Sequence, residues 1–89
     1  LIVQDVTEEI AKSYKLPKAG GVIVNDVGIN TPAEDAGIMR GDIIEEIADT
    51  AVLNTEQFNK LVTELPKNKA VLVLVRKDEG TRFLTLKIK

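Results

Sequence analysis

"TPAEDAGIMRGDII", residues 31–44, holds a helix, two corners and the start of a strand in one short run. Thr31 offers a side-chain oxygen suited to capping a helix. Pro32 already has the φ of a first helical residue, and its missing N–H is not needed there. Gly37 can take the left-handed conformation that stops a helix. The spacing therefore predicts a one-turn helix between Thr31 and Gly37, too short to stand without a sheet to lean on. Gly41 marks a second corner, after which Ile43, Ile44 and Ile47 read as a strand. On this reading Ile38 and the three strand isoleucines fill the core, and the charges between them belong to a turn. Arg40-Gly41-Asp42 also spells a cell-adhesion tripeptide, but Asp42 leads directly into the strand and the turn reading is preferred.

Upstream, "LIVQDV" is a β-rich opening. In "TEEIAKSYKLP" Thr7 can cap a helix with Glu8 and Glu9 in its first turn and Lys12 and Lys15 toward its end, stopped by Pro17. "GGVIVNDV" puts two conformationally free glycines before a strand over 22–27. Downstream, "NTEQFNKLVTELP" is the strongest helix signal. Asn54 and Gln57 have capping-box spacing, Phe58, Leu61, Val62 and Leu65 recur at helical spacing, and Pro66 ends the run. "AVLVLVRK" and "TRFLTLKI" flank "DEG" as a hairpin, with Leu84, Leu86 and Ile88 alternating inward. Five or six short strands forming a small, partly open barrel, with one main helix and one or two short ones, make an α+β fold.

Composition excludes several functions. The chain has 89 residues, enough for one domain whose core buries roughly 60–65% of the unfolded surface. Fourteen acidic and twelve basic residues are scattered along it, so no basic stripe exists for nucleic acid. The longest apolar run, 70–75, is far short of the roughly 20 residues of a spanning helix, so no membrane insertion is expected. There is no histidine, no cysteine, and a single serine, Ser13. A serine-histidine-aspartate relay cannot be assembled, and no catalytic residue is expected. Glu34, Asp35 and Asp42 lack the alternating oxygen-ligand spacing of a calcium loop, so no metal or other cofactor is expected. Gly20-Gly21 leads into a strand, whereas a phosphate loop leads into a helix. The opening at Leu1, inside a strand-like run, reads as a fragment of a longer chain.

The stretches "LIVQDVTEEIAKSYKL", "GGVIVNDV", "TPAEDAGIMRGDII" and "AVLVLVRKDEGTRFLTLKI" together resemble the PDZ domains of bacterial HtrA/Do-like (Deg) trypsin-like serine proteases, in register over nearly the whole chain. The closing hairpin is more similar to the second, C-terminal PDZ domain of such proteases than to the first. The resemblance implies a circularly permuted PDZ fold over 1–89 and a protease module without its protease. It also implies a groove between residues 1–5 and the helix 55–65. There a C-terminal or unfolded peptide segment would add to the sheet along the backbone of Leu1, Ile2, Val3 and Gln4. Leu1 and Val3, with Thr55, Asn59 and Val62 on the helix, would line the pocket, and Leu1 and Val62 would take an apolar terminal side chain.

The same resemblance implies protease domains and other subunits as partners, and a bacterial periplasm or cell envelope as location. It allows a second role, an architectural module in the protease oligomer that binds no free peptide. Two features depart from the family pattern. The bulky apolar residue and glycine whose backbone amides receive the peptide carboxylate would precede Leu1, so an N-terminally extended chain is expected to bind more tightly. "IADTAV" stands where relatives have Asn-Gly, and Ala48-Asp49 suits a tight primed turn poorly, so a longer or different connection is expected.

Overall fold

The computed structural model describes residues 2–16, 20–65, 69–77 and 80–87. Leu1, expected in the pocket, Pro17 and Pro66, expected as helix stops, and Ile88, expected in the core, lie outside them. In chain order the elements are β1 (Ile2–Asp5), α1 (Glu8–Ser13), β2 (Val22–Asp26), α2 (Pro32–Ala36), β3 (Ile43–Ile47), β4 (Thr50–Ala51), α3 (Thr55–Glu64), β5 (Ala70–Lys77) and β6 (Gly80–Lys87). The strands form one six-stranded sheet in the order β1-β2-β3-β5-β6, with β4 attached to β3. Every pairing is antiparallel. The expected α+β class is observed, as an open sheet with one main helix and two short ones.

Each helix begins where its capping residue directs. Thr7 Oγ1 accepts from the Ile10 N–H at 3.2 Å, and Thr31 Oγ1 accepts from the Glu34 N–H at 3.3 Å. Asn54 Oδ1 accepts from the Gln57 N–H at 2.8 Å. The reciprocal half of the box is displaced by one residue: Gln57 Oε1 accepts from the N–H of Leu53, at 2.7 Å, and not from that of Asn54. Gly37 ends α2 at φ 92°, as its sequence position requires.

The alternation of strand side chains divides the apolar residues between two faces. One face buries Val22, Val24, Ile44, Ile47, Val73, Val75 and Leu86 beneath Phe58 of α3 and Ala33 of α2. The other buries Ile23 and Ile43 against Val6 and Ala11, so α1 covers a second, smaller core. Ile38 joins the larger core, and all four isoleucines expected inside from "AGIMRGDIIEEI" are buried.

The longer or different connection expected in "IADTAV" does not form. Ile47 pairs directly with Thr50, and the two residues between them, Ala48 at φ 49° and Asp49 at φ 66°, make a tight primed hairpin turn. Glycine-free turns of this kind are unfavourable locally, each left-handed non-glycine residue costing about 1–2 kcal/mol. The pairing of β3 with β4, and the burial of Val52 just beyond, hold the chain in that conformation.

Candidate functional site

Asp42 is the one buried charged residue among the described residues, and it belongs to the scaffold. Its carboxylate accepts from the Met39 N–H at 2.9 Å and is ion-paired with the Lys77 ammonium. Lys77 Nζ also donates to the Gly37 carbonyl at 3.2 Å, so the hairpin is tied to both corners of the 31–44 stretch. Arg40-Gly41-Asp42 is thus a turn with its acidic group turned inward. Glu45 Oε1 accepts from Arg76 Nε at 2.6 Å. These pairs matter because a concavity of about 670 Å³ is lined by Tyr14, Lys15, Arg40, Arg76 and Lys77 among others. Two of its four cations are already neutralised. A second hollow of about 260 Å³ lies beside Gly21, Glu45 and Leu53. Neither takes a residue from β1 or α3.

The residues singled out from sequence lie on those two elements. β1 pairs with β2 only, so one side of its backbone has no strand partner among the described residues. Ile2 is exposed, opposite Asp26. Val3 is half-buried opposite Val24 and packs against the larger core. Gln4 is exposed opposite Ile23, and its Oε1 accepts from Asn25 Nδ2 at 3.2 Å. Because Val24 and Val22 face the larger core, their partners Val3 and Asp5 point toward the α3 side, whereas Gln4 points toward the α1 side. Val24 directs its backbone to the β3 side, donating to the Asp42 carbonyl at 2.8 Å and accepting from the Gly41 N–H at 2.9 Å, so Val3 opposite it turns its own backbone groups to the open edge and its side chain toward α3.

On α3, Thr55 is half-buried at the first helical position, Asn59 is exposed one turn later, and Val62 is half-buried against the core. Phe58 is buried, and Leu61 and Leu65 pack on the same cluster. One residue escaped sequence reasoning: Asp5. Its Oδ1 accepts from the Thr55 N–H at 2.6 Å across 50 residues of sequence. That bond brings the end of β1 to the start of α3. A free acceptor at a strand end and an unpaired N–H at a helix start were both readable from sequence, but not their meeting.

The arrangement can accept an extended chain. Along β1 the backbone groups on the side away from β2 have no strand partner among the described residues, and apolar side chains of Val3 and Val62 lie beside them, the features that strand addition requires. No helix among the described residues is long and apolar enough to cross a membrane.

The sequence profile of the family described as "PDZ domain" matches residues 2–88. The chain is 36% identical over 86 residues to "Probable periplasmic serine endoprotease DegP-like" of Rickettsia conorii, and 34% identical to the protein of that name from Pseudomonas putida. Each match covers 97% of this chain and 17% of the relative, so the chain spans about a sixth of the length of these relatives. Among solved structures, the HtrA-type protease AlgW with a decapeptide superposes with a TM-score of 0.83 at 24% identity, over 96% of this chain and 26% of that one. The HtrA3 PDZ domain bound to a phage-derived ligand gives 0.81 at 19% identity, over 98% and 79%. At these identities the superpositions establish the fold.

Proposed function

This chain belongs to the PDZ domain family, related to the PDZ domains of HtrA/DegP-like serine proteases, and from that premise we propose that it captures C-terminal or unfolded peptide segments by strand addition along β1. The observation that carries this reading is the edge position of β1, with α3 attached beside it through Asp5 and Thr55. An incoming strand would pair with the backbone of residues 1–4, which is largely indifferent to peptide sequence. Selectivity would come from Leu1, Val3, Thr55, Asn59 and Val62. The two peptide-bound solved relatives support the same use of the fold.

In this reading residues 1–89 are one PDZ domain, nearer the second than the first, of a longer bacterial serine protease of the periplasm or cell envelope. The domain itself is non-catalytic and feeds or regulates the protease. Affinity for free peptide would be about micromolar, equivalent to roughly −8 kcal/mol. Titration of the chain with peptides ending in a free carboxylate after an apolar residue, followed by amide shifts, tests it. Shifts concentrated in residues 2–5 and 55–62 are expected. Shifts confined to other elements would refute the groove.

A second reading, an architectural module of the protease oligomer, is favoured by one observation. Phe83 and Leu72 are exposed by 60% and 52%. Phe83 lies directly opposite Leu74, two residues along β5 from Leu72, so all three share one face of the hairpin. An apolar face of this kind suits contact with another subunit. Substituting both Phe83 and Leu72 by serine in the full-length parent should lower its oligomeric state if this role dominates.

A further inference from the structure

We infer that Asp5 is the positioning residue of the proposed groove: its carboxylate sets the separation of β1 and α3, and so the size of the peptide side chains that fit between them. This inference rests on the peptide-binding reading above. Three observations carry it. The Asp5 to Thr55 bond, at 2.6 Å, is the one hydrogen bond recorded between β1 and α3 among the described residues. The remaining attachment of α3 is apolar packing, through Phe58, Leu61, Val62 and Leu65 onto a core that also receives Val3. Such packing is non-directional and tolerates sliding, whereas a hydrogen bond fixes both distance and direction. Finally, the acceptor is matched to its place. Thr55 is the first residue of α3, and its N–H is one of the four that a helix leaves without an internal partner. Asn54 caps Gln57, which leaves the Thr55 N–H to be satisfied from outside the helix.

The geometry makes Asp5 act on the peptide through α3 and not through α3's folding. α3 already has its own cap and its own apolar face, so the helix persists when the bond is lost. What changes is its distance from the strand edge. A peptide inserted between the two must meet backbone groups on one side and Val62 and Thr55 on the other at the same time. Loosening one wall lowers affinity for every peptide, and lengthening the link moves the optimum toward larger side chains.

The test compares Asp5→Ala, Asp5→Asn and Asp5→Glu in the 89-residue chain with two C-terminal peptides, one with a small and one with a bulky residue third from the end. Asp5→Ala is expected to raise Kd about tenfold for both. Asp5→Asn, which keeps an oxygen acceptor at the same reach, should recover to within about threefold of the original. Asp5→Glu should shift the ratio of the two affinities toward the bulky peptide. A spectroscopic reporter accompanies these: the Thr55 amide should exchange faster in Asp5→Ala and not in Asp5→Asn. Binding by the unsubstituted chain that Asp5→Ala leaves within twofold would overturn this inference alone. Failure of the unsubstituted chain to bind either peptide would overturn the groove reading, and this one with it.

Discussion

The Lys77 ammonium and the Asp42 carboxylate, 35 residues apart, form an ion pair in which the two side chains keep only 11% and 9% of their exposure. It ties the end of β5 to the corner that precedes β3. Both partners also hold backbone groups, Gly37 O and Met39 N, so the pair organises the 31–44 stretch as well as neutralising itself.

Removing one member should cost far more than removing both, since a lone buried charge is left without compensation. Lys77→Met is expected to lower unfolding free energy by roughly 3 kcal/mol, and adding Asp42→Asn should restore part of that loss. Urea unfolding of the single and double variants measures both. A purely additive pair of losses would contradict the coupling.

The Ala48-Asp49 turn holds two non-glycine residues in left-handed conformations. Replacing them by Asn-Gly supplies residues that adopt this turn readily, so the double substitution should stabilise the chain by about 1–2 kcal/mol. In a domain of this size that corresponds to a rise in Tm of roughly 4–8 °C per kcal/mol. A thermal melt showing no rise would mean that the turn is not under local strain.

Gly21 combines a positive φ of 78° with close backbone approach: a Cβ placed there would sit 2.7 Å from the Ile44 carbonyl oxygen. Because that carbonyl belongs to β3, relieving the clash means moving the start of β2 away from β3. Gly21→Ala should therefore cost more than about 2 kcal/mol, combining left-handed strain with a clash. Gly37→Ala, at φ 92° in open space, should cost only about 1 kcal/mol. Denaturant midpoints of the two variants give the comparison directly.

Asn59 is exposed on α3, and its backbone carbonyl accepts from Thr63 Oγ1 at 2.8 Å. Asn59→Lys suits a helix and should leave stability within about 0.5 kcal/mol. In the proposed groove it sets a strongly hydrated ammonium where peptide side chains enter, so peptide Kd should rise about tenfold. Calorimetric titration beside a thermal melt separates the two effects. Unchanged affinity would remove Asn59 from the site.

Much of the fold was legible in the chain because its causes are local. Thr7, Thr31 and Asn54 cap helices through bonds to residues three positions on, and Gly37 stops one through its own φ. Period-two and helical spacing told which residues would be buried, Phe58 and Leu86 among them, since a side chain's direction follows from its backbone element. For the candidate site, the resemblance pointed to β1 and α3, and the structure shows Val3 and Val62 half-buried on those two elements and packed against the larger core.

What neighbouring residues dictate to one another, caps, stops and strand periodicity, was written in the order of the amino acids. The meetings of distant segments were not. Asp5 with Thr55 and Asp42 with Lys77 arise when the sheet closes up and brings together groups 50 and 35 residues apart. The Ala48-Asp49 turn shows the same hierarchy in reverse. Local preference argued against a tight primed connection, but pairing of β3 with β4 and burial of Val52 outweigh a cost of a few kcal/mol that those two residues cannot avoid on their own.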